Sequence, residues 1–218
     1  MDTITITADD GADVDVLVWR PEAASGRPIK GLVQFCHGMA EYAARYDEVA
    51  RVLAADGWLV VANDYRGHGP RAAATGELGT TSDRGYHQLL DDLSAVADHF
   101  MARLEGKPWF LVGHSMGSFL ARVLAVRRGR EMAGLVIIGT GSSLGPLSTV
   151  ATGLAQAQVL MVGEDSRSPL LNTLSFGSFN RAFLPARTDY DWLSRDARVV
   201  DAYNDDPLCG FVCTAAFY

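Results

Sequence analysis

Four short, continuously apolar runs, residues 31–36, 58–62, 109–112 and 135–138, alternate with stretches whose apolar residues recur at helical spacing. A strand with one wet face alternates apolar and polar residues, whereas a run without alternation is buried on both faces. Such strands separated by amphipathic helices form β-α-β units, which assemble into a mostly parallel sheet with helices on both faces. The first helical stretch, residues 42–56, places Tyr46, Val49, Ala50 and Leu53 at i, i+3, i+4 and i+7 before Gly57. The second, residues 84–105, puts Leu89, Leu93, Val96, Ala97, Phe100 and Leu104 on one face before Gly106. A third starts near residue 118 with Phe119, Leu120, Val123 and Leu124, and carries Arg127, Arg128 and Arg130 in its last turns, where the helix dipole favours cations. Ahead of these units, residues 3–7 and 14–19 alternate around Asp9-Asp10-Gly11 and read as an antiparallel hairpin. The rhythm is lost after Thr140. Residues 1–140 are therefore read as the sheet core, 141–205 as an inserted helical cap, and 206–218 as a return to the core.

Composition narrows the classes. With 48% hydrophobic and 21% charged residues the chain is of ordinary globular type, not disordered. Nineteen basic against 26 acidic residues, net −7, argue against a nucleic-acid partner. No apolar run reaches the roughly 18 residues of an integral membrane segment, and no basic start followed by an apolar stretch marks a signal peptide. Cys36, Cys209 and Cys213 are too few for a disulfide framework and suit reduced thiols in a cytoplasm. Cys209 and Cys213, four residues apart on a predicted helix, read as core thiols; no metal and no cofactor is expected.

Gly113-His114-Ser115-Met116-Gly117 matches G-x-S-x-G directly after an apolar strand and before a helix. In that context the serine sits on a sharp strand-to-helix turn, and the flanking Gly113 and Gly117 avoid clashes in a crowded backbone. The helix N-terminus favours the negative charge that develops on an attacked carbonyl. A second match, Gly141-Ser142-Ser143-Leu144-Gly145, lies three residues beyond its strand, with Pro146 close behind; its turn would be loose, so Ser115 is the expected nucleophile. Acyl transfer also needs two backbone N–H groups aimed at the oxyanion. Met116, next to the nucleophile, supplies one, and Met39, in the His37-Gly38-Met39-Ala40-Glu41 loop after the strand at 31–36, supplies the other. The plainer reading of His37-Gly38 is a glycine turn beside a packed histidine.

Asn63-Asp64-Tyr65-Arg66-Gly67-His68-Gly69 follows another strand end, where sites of open α/β sheets gather. It lacks G-x-G-x-x-G, and no helix is expected at its glycines, so Asp64, Arg66 and His68 read as structural support rather than a phosphate cradle.

These motifs, together with Arg45-Tyr46, occur in an order that resembles the monoacylglycerol lipase/lysophospholipase group of the α/β-hydrolase superfamily, grouped with the serine aminopeptidase S33 families. Residues 172–180 and 191–196 resemble cap and post-cap segments of bacterial members. The resemblance implies an α/β-hydrolase fold, Ser115 as acylated nucleophile, Met39 and Met116 as oxyanion donors, site support from His37, Gly38, Gly113, His114 and Gly117, and a small lipid ester as substrate. It also implies a Ser–Asp–His order along the chain. None of the five histidines, His37, His68, His87, His99 and His114, follows Ser115. Asp165, at the end of a strand-like stretch, falls too early for the acidic member. The resemblance implies eight strands where six are read here, and two further strand–helix units correspond to roughly 60 residues. The expectation is therefore a chain that lacks its last two units, with an apolar strand edge at 135–138 left uncovered. A non-catalytic remnant that binds lipid or a partner, and an S33-type peptidase, are the alternatives.

Overall fold

The computed structural model describes residues 1–22, 28–82, 84–142 and 145–218, except for the side chains of 146 and 147. Ser143 of the second G-x-S-x-G match lies outside the described residues. The hairpin forms as expected, β1 (Asp2–Thr7) against β2 (Asp13–Trp19), with Thr7 opposite Asp13. Four further strands follow, β3 (Leu32–Cys36), β4 (Leu59–Asn63), β5 (Trp109–His114) and β6 (Gly134–Ile138). The sheet order is β1-β2-β4-β3-β5-β6, antiparallel at β1–β2 and β2–β4 and parallel elsewhere.

The apolar runs of β3 and β4 are buried on both faces, that of β5 is buried or half-buried, and that of β6 is exposed. Leu32, Cys36, Leu59, Val61 and Leu111 meet α3 (Tyr86–Met101) and α4 (Met116–Arg128) through Leu93, Val96, Phe100, Leu120 and Leu124. Val33, Phe35, Val60 and Ala62 face α1 (Asp47–Ala55) through Ala50 and Ala54. Arg66 ties the pieces together: its guanidinium reaches both Asp92 oxygens on α3, at 2.7 and 2.8 Å, and both Asp10 oxygens in the hairpin turn, at 2.8 and 2.9 Å.

Local expectations needed correction in three places. A helix, α2 (Gly69–Thr75), does start at the glycines after β4: Pro70 in its first turn suits a helix start, and the left-handed Gly76 ends it. Its three consecutive alanines favour helix without leaving a periodic pattern to read. Helix α4 starts at Met116 rather than near residue 118, directly behind Ser115. Cys209 and Cys213 lie in irregular chain; the helix before them, α7 (Ala197–Asp205), ends ahead of Pro207. All three thiols are buried and unpaired.

After β6 come α5 (Pro146–Val162), α6 (Pro169–Phe176), short 3-10 turns and α7. The strand-like stretch before Asp165 is the end of α5, and Asp165 is exposed in the turn that follows. Among the described residues no helix is long and apolar enough to cross a membrane. β6 pairs on one side only, with Leu135, Val136, Ile137 and Ile138 38–49% exposed.

Candidate active site

In the chain, β4 is added on one side of β3 and β5 on the other. The loops after β3 and β5 therefore leave the sheet at a switch in strand order, where open α/β sheets form a crevice. Those loops carry His37–Glu41 and Ser115.

Ser115 has φ +50° and ψ −119°, a conformation that L-residues rarely hold. Its N–H donates to the Ile138 carbonyl at 2.9 Å, and its own carbonyl accepts from the Ser118 amide at 2.9 Å and the Ser118 hydroxyl at 2.6 Å. Close packing forces the glycines. A Cβ on Gly113 would lie 2.5 Å from the Gly117 carbonyl oxygen, and one on Gly117 would lie 2.1 Å from the Cys36 carbonyl oxygen. A Cβ on Gly38 would lie 3.3 Å from Ser115 Cβ, so the loop after β3 rests against the serine.

Two histidines hold that loop from below. His37 Nδ1 bonds the Gly38 carbonyl at 2.8 Å, and its Nε2 accepts the Tyr65 amide at 3.1 Å. His68 Nε2 accepts the Ala40 amide at 3.2 Å, with Nδ1 on the Arg66 carbonyl at 3.3 Å. Accepting on Nε2 assigns both rings as neutral Nδ1–H tautomers. Burial pushes both down as bases, His68 to about 3 with the neighbouring His37 adding to the effect. The Gly38 carbonyl shares its peptide plane with the Met39 N–H. Holding that carbonyl against His37 turns the N–H the opposite way, because C=O and N–H of a trans peptide point apart.

Sequence reasoning missed the buried carboxylate beside the serine. Glu41 Oε1 accepts from the Gly38 amide at 2.6 Å, the Tyr46 hydroxyl at 2.9 Å and His114 Nδ1 at 2.8 Å, while Oε2 pairs with Arg45. Burial alone would raise its pKa, but the His114 hydrogen bond and the Arg45 charge outweigh that and hold it at about 2. The spacing of Glu41, Arg45 and Tyr46 on one short turn was the available signal; the partner His114 comes from another strand. Asp64 likewise holds the loop, its Oδ1 accepting the Ala43 amide at 2.7 Å.

Met39, Glu41, His114 and Ser115 line a narrow cavity of ≈ 50 Å³ together with Phe176, Tyr190 and Trp192 of the segment after β6 and Phe211 of the irregular chain after α7. Met39 is half-buried there. Met116 is half-buried too, and its side chain packs on the larger core cluster. As the first residue of α4, Met116 has an amide with no acceptor within the helix. A larger cleft of ≈ 590 Å³ lies beyond His68, lined by Asp13, Asp15, Arg66, Arg71 and Glu77; Ser115 is not part of it. Glu164 and Asp165 are exposed and outside both. Among the described residues no imidazole hydrogen-bonds the Ser115 hydroxyl, and no group of three or more His, Cys, Asp or Glu could hold a metal ion.

Comparison with known proteins gives the family and the fold. Residues 27–218 match the family described as serine aminopeptidase, S33. The human monoglyceride lipase is 34% identical over 206 residues, 94% of this chain and 59% of that protein. The monoacylglycerol lipase of Mycolicibacterium smegmatis is 28% identical over 193 residues, 88% of this chain and 59% of that protein. The chain thus spans 59% of the length of these two relatives. Among solved structures, a thermostable carboxyl esterase from Bacillus coagulans superposes with a TM-score of 0.86 at 24% identity, over 99% of this chain and 69% of that one. The likeness supports an α/β-hydrolase fold.

Proposed function

The chain belongs to the serine aminopeptidase S33 family of α/β-hydrolases, and from that membership we propose a serine hydrolase of carboxylic esters, of monoacylglycerol or lysophospholipid type, acting through a Ser115 acyl-enzyme. The observation that carries the reading is the left-handed Ser115 pressed against the His37–Glu41 loop. Ser115 Oγ attacks the ester carbonyl carbon, and the oxyanion is received by the Met39 and Met116 amides. The alcohol leaves with a proton, and water then cleaves the acyl-enzyme. The Ser115 proton passes to a general base; the His37 and His68 rings are committed to backbone groups through both nitrogens, and among the described residues no imidazole hydrogen-bonds the Ser115 hydroxyl.

The cavity walls support the substrate class. Its floor is polar, with Glu41, Arg45 and His114, which suits a hydroxylated leaving group. Its roof, with Phe176, Trp192 and Phe211, suits an acyl chain. At ≈ 50 Å³ it is well below the roughly 300 Å³ at which ligand pockets begin, so admitting a lipid ester requires Phe176, Tyr190 and Trp192 to move outward. A peptidase would need a free carboxylate for the substrate ammonium, and Glu41 is already engaged by four donors. Three reduced thiols suit a cytoplasmic location.

A second reading, a remnant that binds lipid or a partner without turnover, rests on the described residues alone, among which no imidazole hydrogen-bonds the Ser115 hydroxyl. A fluorophosphonate probe on the full gene product separates the two. Labelling that Ser115→Ala abolishes supports the hydrolase, while an unlabelled but folded protein supports the remnant. Faster hydrolysis of aminoacyl amides than of monoacylglycerols would instead favour the peptidase.

A further inference from the structure

Ala40 follows the proposed oxyanion donor Met39, is buried, and has φ +54°, which costs an L-residue conformational energy unless its surroundings hold it. His68 takes its amide from the sheet side. Its carbonyl is held from the opposite side by a segment far along the chain: the Tyr203 hydroxyl donates to it at 3.0 Å and the Gly210 amide at 2.9 Å. The same Gly210 amide lies 3.1 Å from the Tyr203 hydroxyl oxygen, so the two donors and the Ala40 carbonyl oxygen form a small triangle. Gly210 has no room for a side chain, because φ is +67° and a Cβ would meet the Tyr190 hydroxyl at 2.4 Å. The Tyr203 ring is itself fixed, 4.6 Å beneath the Arg45 guanidinium and 4.8 Å from the Tyr190 ring.

We propose that Tyr203 is a positioning residue: its hydroxyl, together with the Gly210 amide, locks the left-handed Ala40 and so fixes the aim of the Met39 amide, coupling residues 197–210 to the loop beside Ser115. This rests on the reading of Met39 as an oxyanion donor. With Ala40 held at both N–H and C=O, the peptide planes on either side cannot rotate independently, and Met39 has little freedom between them and the His37-bound Gly38 carbonyl. Tyr203 and Gly210 also line the cavity beside Ser115, and displacement of α7 would be felt at the oxyanion through Ala40 as well as along that wall.

The test uses the full gene product with a short-chain aryl ester. Tyr203→Phe deletes one hydrogen bond and keeps the ring; kcat falls about 5- to 10-fold while KM changes less than twofold. Exchange of the Met39 and Ala40 amides, read by NMR whatever the activity, becomes faster. Tyr42→Phe is the control. It removes a bond between the same two segments, Tyr42 hydroxyl to Asp206 at 2.8 Å, without touching Ala40, and it leaves kcat and both amides unchanged. Wild-type kcat and exchange in Tyr203→Phe, or equal losses in Tyr42→Phe, overturn the proposal. Undiminished hydrolysis in Ser115→Ala overturns the hydrolase reading instead, and the amide exchange then still decides whether Tyr203 holds the loop.

Discussion

Ser115 and the two buried histidines each hold a state that the fold must enforce, one conformational and the other a fixed protonation, and each makes a measurable demand on it. At φ +50° and ψ −119°, glycine is far easier to place than serine. Ser115→Gly should therefore raise Tm, by roughly 2–6 °C for about 1–2 kcal/mol of relieved strain, while removing the nucleophile. Ser115→Ala keeps the strain and should leave Tm near the wild-type value; equal melting of the two variants would show that the turn is unstrained. His68 makes a demand on pH. Unfolded, a histidine takes up a proton near pH 6.5; folded, His68 stays neutral down to about 3, because burial and the nearby His37 oppose a charge. Below pH 6.5 the unfolded chain thus binds more protons, and stability that is constant above that pH declines as pH falls toward 3. By pH 5 the loss from His68 alone is about 2 kcal/mol, with His37 acting in the same direction. Glu41, held at about 2, stabilises the fold above the unfolded value of 4.5, and that stability is lost as pH falls from there toward 2. Thermal melts at pH 7 and pH 5 should differ by several degrees, and His68→Gln, which keeps an acceptor but cannot charge, should narrow the gap. A flat wild-type profile would rule out the neutral buried tautomers.

Elements were legible where burial imposes a period. The strands at 31–36, 58–62, 109–112 and 135–138 are largely apolar because helices cover both faces of most of the sheet, and each was placed to within two residues. Helix α2 was missed because Gly-Pro-Arg-Ala-Ala-Ala-Thr carries no apolar stripe; only Ala72 and Gly69 are buried in it. The strand-to-helix serine turn could be read because its glycines are a steric necessity. The Glu41–His114 pair could not, since its partners lie 73 positions apart and no short motif records them. Nor could the clamp on Ala40, whose two holders, Tyr203 and Gly210, come from a stretch without periodicity. Arg66 was read as support, and the structure shows what it supports: hairpin turn, β4 loop and α3 meet on its one guanidinium. Arg66→Ala strands the buried Asp92 without its cation and should cost about 3 kcal/mol or more, read as a lower urea midpoint. Arg66→Lys should recover less than half of that, because an ammonium cannot form the fork to two carboxylates. Full recovery by lysine would mean that charge alone matters there.

At the scale of the whole molecule the sheet is asymmetric. On one side it ends in the hairpin strand β1, whose outward residues are mostly polar, Asp2, Thr3, Thr5 and Thr7. On the other it ends in β6, where four consecutive apolar side chains stay exposed beside unpaired backbone groups. Phe119 and Val123 on the adjoining α4 are exposed as well. An apolar strand edge of this kind is a template for pairing with another chain, and charged side chains are what normally blunt it. The 218-residue chain expressed by itself should therefore self-associate with rising concentration, seen as a growing weight-average mass in sedimentation or light scattering. Val136→Lys, which puts a charge in the middle of β6 away from Ser115, should shift the distribution toward monomer and leave the melting temperature within a few degrees. Arg20→Lys on the hairpin side should do neither. If the chain stays monomeric at high concentration with an unchanged β6, or if Val136→Lys associates as strongly as the parent, the exposed edge is not the sticky surface, and the exposed helices α5 and α6 become the place to look.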